Sequence, residues 1–137
     1  MIIADTGGLL ALLDKPSDDH AAVHKFFKSS QTPWIVPWAV LPELDYMARK
    51  LIGTQSAIKF LKDAKNGVFV IDSNVESDLP QALELLNRNP SLGLVDAVVM
   101  AQAERYRAAT IVTTDVRDFN PWRLTLNRHI KLVPIDN

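Results

Sequence analysis

The sequence predicts a single α/β domain built on a parallel sheet of about five short strands, with helices covering both faces. Three observations lead there. Short apolar or β-branched runs, bounded by polar or turn residues, recur along the 137 residues. Stretches of helical periodicity separate them, as crossover connections between parallel strands require. Acidic residues stand where several of the strands end, on the rim at which open α/β sheets place their sites.

The first strand covers residues 2–4, with Asp5 at its end, and residues 8–13 form a short apolar helix closed by Asp14-Lys15-Pro16-Ser17. Asp18 or Asp19 caps a second helix through Ser29, with Ala22, Val23, Phe26 and Phe27 on its buried side. Residues 34–36, between Pro33 and Pro37, are the second strand. The third helix starts near Trp38 and runs to Leu51 on a stripe of Leu41, Leu44, Met47, Ala48 and Leu51. Pro42 fits only its first turn, where amide hydrogens have no intrahelical partner, and this sets Glu43 near the helix start. Gly53-Thr54 opens a fourth helix that Asn66-Gly67 ends. Residues 68–71 are the third strand, and residues 77–87 a fifth helix with Leu79, Ala82, Leu83 and Leu86 inward.

After the loop Pro90-Ser91-Leu92-Gly93 comes the stretch that organises the chain. Ala97, Met100, Ala101 and Ala108 recur at helical spacing, so an amphipathic helix carries Asp96 in its first turn. Residues 110–113 are a β-branched run that reads as a buried strand, and Asp115 falls just past its carboxyl end. An irregular segment around Pro121-Trp122 has room for a short helix, and residues 131–135 make the last strand.

Apolar residues make up 47% of the chain and charged ones 23%, which suits an ordinary domain with a full core. With no cysteine, neither a disulfide framework nor a thiolate metal site is available. No basic start precedes a long apolar run and no run reaches membrane-span length, so the expectation is a cytoplasmic protein without a membrane partner. A net charge of −1 excludes a global basic field for nucleic acid. Locally, Arg105, Arg107, Arg117, Arg123, Arg128 and Lys131 face only Asp115 and Asp118, an excess of four positive charges. That is either a solvated face or a track for phosphates, with Arg117 and Arg123 as candidate contacts.

If the sheet is parallel, Asp5, Glu43, Asp96 and Asp115 share one edge and can converge, and Asp118 can join from the loop. Converged carboxylates repel: at about 5 Å and an effective dielectric near 20 a pair costs roughly 3 kcal/mol. One pKa then rises by about two units unless a cation intervenes. Each acid taken alone reads as a helix cap or a loop charge, but four at equivalent strand ends favour a hard divalent cation, Mg²⁺ or Mn²⁺. The remaining chemistry is narrow. There is no thiol, no Gly-x-Ser-x-Gly elbow and no phosphate-binding glycine loop before a lysine. His20 and His24 share a helix face but lack a third ligand, and read as a solvated face beside Lys25 and Lys28. His129 reads as structural or exposed. Water on the metal is left as nucleophile, which suits phosphodiester hydrolysis. Thr6 and Thr113 either hydrogen-bond the carboxylates and their waters or are ordinary strand-end threonines. Trp38, near Glu43, either stacks on a base or packs in the core or a dimer contact.

In these residues the chain resembles the PIN-domain nucleases, specifically the small VapC-type toxins of toxin–antitoxin pairs. The resemblance spans essentially the whole chain. It is carried by Asp5-Thr6, by Glu43-Leu44, by Asp96-Ala97-Val98-Val99-Met100-Ala101-Gln102-Ala103, and by Ile111-Val112-Thr113-Thr114-Asp115 with Asp118-Phe119. It implies a three-layer PIN-like fold and a Mg²⁺- or Mn²⁺-dependent endoribonuclease, its acidic centre at Asp5, Glu43, Asp96 and Asp115 with Asp118 as a weaker fifth. It implies also a homodimer held inactive by an antitoxin, whose tail wraps the toxin and whose DNA-binding part is the complex's only link to DNA. Under that likeness Trp38 could receive the antitoxin tail. Two departures are Gly7, where serine or asparagine is frequent, and Ala108-Ala109, which replaces a turn that often contains glycine.

The rivals fit less well. A haloacid-dehalogenase-like phosphatase wants a second aspartate two residues after the first, whereas Asp5 is followed by Thr6-Gly7-Gly8. A response-regulator receiver wants paired acids after the first strand and a lysine after the fifth. A PIN-like RNA- or protein-binding module without catalysis would keep converged carboxylates at a cost for no return. A free-standing RNA-processing nuclease would share the site and lack the antitoxin.

Overall fold

The computed structural model describes residues 1–136. Five parallel strands form one sheet in the order β3-β2-β1-β4-β5: β1 is Ile2–Ala4, β2 Trp34–Pro37, β3 Phe69–Asp72, β4 Thr110–Thr113 and β5 Lys131–Pro134. The helices are α1 (Thr6–Leu13), α2 (His20–Ser29), α3 (Val40–Leu51), α4 (Thr54–Lys65), α5 (Val75–Arg88), α6 (Leu94–Arg105) and α7 (Val116–Arg123).

The strand order explains the layers. From β1 to β3 the chain steps one way across the sheet, and from β3 to β5 it steps back past β1. Right-handed crossovers then send the connecting helices to opposite faces. Accordingly α1–α4 pack among themselves and α5–α7 among themselves, with α1 against β4 and α6 against β1 and β2. The direction reverses between β1 and β4, so the crevice of the sheet opens at their carboxyl ends.

The core lies on both faces of the three central strands, where Ile3, Ala4, Val36, Ile111 and Val112 are fully buried or nearly so. One close approach sets the geometry of the crevice. A Cβ on Gly8 would sit 2.4 Å from the Val112 carbonyl oxygen, so only glycine lets the start of α1 lie on β4. A Cβ on Gly7 would meet the Thr114 hydroxyl at 2.3 Å, which gives the glycine found there a local reason.

Several elements differ from the expectation. β3 is shifted by one residue, because Trp34 to Pro37 pair with Phe69 to Asp72, and it is an edge strand that leaves Val70 exposed. α5 starts earlier, at Val75, where the Asn74 side chain accepts from the Ser77 N–H at 3.2 Å. Its inward face is Asp78, Ala82 and Leu85, while Leu79 and Leu83 face solvent. The phase is set by a polar network: Asp78 Oδ2 accepts from Trp38 Nε1 at 2.9 Å and Gln102 Nε2 at 2.8 Å, and Asp78 Oδ1 from Arg105 at 3.1 Å. Asp72 joins it by accepting from Arg105 at 3.0 Å and from the Tyr106 hydroxyl. Ala22 on α2 and Leu51 on α3 are exposed rather than inward. α6 is buried all round from Ala97 to Ala103, not on one face, since it lies between the sheet and α5. Residues 116–123 form the two-turn helix α7, in the segment where the sequence left room for a short one.

Gly8→Ala should lower the melting temperature, because overlap with the backbone of β4 costs about 1–3 kcal/mol and outweighs the roughly 1 kcal/mol gained in helix propensity. An unchanged or higher melting temperature would show that α1 can retreat from the sheet.

Candidate active site

Parallel pairing of β1 with β4 puts Ala4 opposite Val112, so the next residues, Asp5 and Thr113, meet at the crevice. The Asp5 N–H donates to the Val112 carbonyl at 2.9 Å. The Thr113 hydroxyl, fully buried, donates to Asp5 Oδ2 at 2.8 Å and accepts from the Asp115 N–H at 3.0 Å. One hydroxyl thus fixes two of the acids. Asp115 is the N-cap of α7, and its Oδ1 accepts from the Asp118 N–H at 3.4 Å. Capping brings residues i and i+3 together, so Asp118 stands beside Asp115. Asp96 enters from the first turn of α6.

Asp96, Asp115 and Asp118 each offer a carboxylate oxygen within 4.8 Å of the others. Asp118, ranked behind the others on sequence, is therefore in the tightest group. Asp5 lies behind it, only 5% exposed, and its charge is felt by Asp96. Glu43 is exposed in the first turn of α3 and outside the tight group, though its charge reaches Asp5. Burial raises the Asp5 carboxyl to about 6, against the Thr113 and Thr6 hydrogen bonds that lower it, and the charges of Glu43 and Asp115 add to the rise. Burial likewise pushes Asp96 up to about 8, reinforced by the charges of Asp5 and Asp115 and by a hydrogen bond and repulsion with Asp118.

Among the described residues no Lys, Arg or His side chain pairs with any of these five acids. Thr6 Oγ1 is buried there without a hydrogen-bond partner. Crowded oxygen donors, no cationic side chain, and no histidine or thiolate make a donor set that fits a hard divalent cation.

A family model described as the PIN domain matches residues 2–120. The chain belongs to the PIN-domain family. A relative in this family, Ribonuclease VapC26 of Mycobacterium tuberculosis, is 32% identical over 124 residues, covering 89% of this chain and 92% of that protein. Solved PIN-like structures share the fold. Mycobacterium tuberculosis VapC20, described as a sarcin–ricin loop cleaving toxin, superposes with a TM-score of 0.80 at 20% identity, over 89% of this chain and 95% of its own. A toxin–antitoxin complex from Klebsiella pneumoniae gives 0.66 at 18% identity, over 87% and 90%. The DNA-bound VapBC of Salmonella typhimurium gives 0.64 at 16% identity, over 96% and 95%.

Against this PIN-fold site the other sequence candidates fall differently. The Trp38 indole N–H is held by Asp78, and its ring packs against the core. Arg123 donates to Asn120 Oδ1 at 2.8 Å and to the Ile130 carbonyl at 3.0 Å, and pairs with Asp136, so it ties α7 to the last strand. Arg128 donates to the carbonyls of Ala103 and Ala108, and Arg105 belongs to the Asp72–Asp78 network. Half of the basic track is therefore structural. Arg117 is exposed and makes no ion pair among the described residues. Sequence reading did not find the Asp72–Asp78–Arg105 network; an aspartate at an inward α5 position was its one signal.

The raised carboxyls predict a pH dependence. Their stabilising contribution is complete below about pH 4 and is lost as pH rises through about 6 for Asp5 and about 8 for Asp96. Without divalent cation the melting temperature should fall over that window, and Asp96→Asn should remove the upper part of the fall. Mn²⁺ should raise the melting temperature more at pH 8 than at pH 5, since it selects the ionised set. Superimposable pH profiles for wild type and Asp96→Asn would contradict the assignment.

Proposed function

We propose that Asp5, Asp96, Asp115 and Asp118, with Glu43 at the rim, are the hydrolytic centre and hold Mg²⁺ or Mn²⁺. The chain is a PIN-domain endoribonuclease, the toxin component of a VapBC-like toxin–antitoxin pair. One observation carries the site assignment: acids from three separate parts of the chain, after β1, at the start of α6 and at the α7 cap, meet at the reversal point of the sheet, and among the described residues no cationic side chain pairs with them. When bound, the cation supplies a water of lowered pKa and offsets the negative charge that develops on the phosphate. The protein's part is positioning. Thr113 orients Asp5 and the Asp115 backbone together, and the α7 cap holds Asp118 against Asp115. Burial and the neighbouring carboxylates raise Asp96 furthest of these acids, and that repulsion is what a bound cation would offset.

The substrate in this reading is RNA, and the partners are a cognate antitoxin and a second copy of the chain, with DNA reached only through the antitoxin. The toxin–antitoxin complexes of like fold, VapBC among them, support the antitoxin. Exposed Leu79 and Leu83 on α5, and Tyr46 and Leu51 on α3, are surfaces of the kind such partners cover. Among the described residues no helix is long and apolar enough to cross a membrane. We place the protein in the cytoplasm, where its RNA substrate is, and read residues 1–137 as one PIN-like domain.

Asp96→Asn, assayed on single-stranded RNA with Mg²⁺ or Mn²⁺, should lose about 100-fold or more of the cleavage rate, the scale of one lost transition-state contact. Its far-ultraviolet circular dichroism should match wild type. Cleavage at the wild-type rate would refute the site assignment.

A further inference from the structure

Beside the acidic cluster, between α5, α6 and α7, lies a slot of about 270 Å³. Its floor is apolar: Leu92, Met100 and Trp122, all buried beneath it. Asp118 forms one wall, so the slot and the carboxylate cluster are contiguous. Arg88 and Arg117 stand at its rim. The Arg88 guanidinium meets Glu84 at 2.5 Å, but both side chains are more than half exposed, and such a pair in water holds little. Arg117 has no ion-pair partner among the described residues. Arg105, Arg123 and Arg128 are locked into structural bonds, whereas the two arginines at the rim of this slot are able to meet a phosphate.

An apolar recess near the lower size limit of small-molecule sites, flanked by two guanidinium groups, matches one nucleotide. Unpaired bases of single-stranded RNA bury their faces on apolar or aromatic surface, and arginine pairs with phosphate in bidentate fashion. The acids next door repel phosphates, so the strand needs positive charge close by to be held across them.

We propose that this slot is a nucleotide subsite: it takes the base of a residue adjacent to the cut, while Arg117 and Arg88 hold a flanking phosphate. The proposal rests on the acidic cluster being the hydrolytic centre. Charge complementarity and the shared Asp118 wall select an RNA nucleotide over an apolar protein segment as occupant.

The test is cleavage of a randomised single-stranded RNA pool with Mn²⁺, reading the base at each position beside the cut, for wild type, Arg117→Ala, Arg88→Ala and Thr125→Tyr. Thr125 is exposed at the slot, so tyrosine there fills it without entering the core. Wild type should prefer particular bases at one position next to the cut. Thr125→Tyr should erase that preference and slow the favoured sequences by about tenfold. Arg117→Ala and Arg88→Ala should weaken all sequences alike and flatten the salt dependence. If Thr125→Tyr fails to melt cooperatively, the two arginine variants carry the test alone. Base preference, rate and salt dependence equal to wild type in the folded variants would overturn the subsite while leaving the hydrolytic centre standing. So would unchanged cleavage with a dimer-to-monomer shift in Thr125→Tyr, which would make the slot a contact between copies. A wild type that cuts no RNA would overturn the hydrolytic reading, and the subsite with it.

Discussion

Carboxylates crowded at the carboxyl ends of β1 and β4 are the constraint on which the rest depends. The strand order leaves no other place for them: β1 and β4 are neighbours, the direction of winding reverses between them, and the residues that follow both strands open into the same crevice. The fold tolerates the repulsion because the flanking core is dense and the acids are held from behind. Thr113 engages Asp5 and Asp115 with one hydroxyl, and glycine at position 8 lets α1 close onto β4. A site whose groups repel one another in the folded state is a local departure from stability of the kind expected at functional positions. It also gives a cation something to relieve.

The opposite signs on this chain do different work. Five acids are gathered at the crevice, whereas three arginines late in the chain are drawn into the scaffold. Arg105 ties α6 to β3 and α5, Arg128 donates to the Ala103 and Ala108 carbonyls at the carboxyl end of α6, and Arg123 anchors α7 to the last strand. Arg117 and Arg88 stand beside the crevice with no buried partner among the described residues.

Much of the fold and of the site was readable from residue pattern alone. Alternation of short apolar runs with helical stretches implies parallel strands, and parallel strands convert a position in sequence, just after a strand, into a position in space, on one rim. That is why Asp5 and Asp115 could be paired across more than 100 residues of chain. What pattern could not supply was phase and distance. On α5 a leucine stripe at helical spacing suggested Leu79 and Leu83 inside, yet the buried bonds of Asp78 to Trp38, Gln102 and Arg105 rotate the helix the other way. The same network occupies the Trp38 indole that proximity to Glu43 had made a candidate for base stacking. Asp118 was underrated because its closeness comes from the cap geometry of α7, a helix hidden by Pro121. Arg123 was overrated because counting charges along the chain does not reveal which of them already have partners.

In the proposed centre, acids distant in sequence share a divalent-cation site. Anomalous diffraction from crystals grown with Mn²⁺ tests it most directly. The account predicts a peak in the crevice bounded by Asp5, Asp96, Asp115 and Asp118, absent when Asp96 is replaced by asparagine. Crystals with no peak there, or with manganese bound only at other carboxylates, would contradict it.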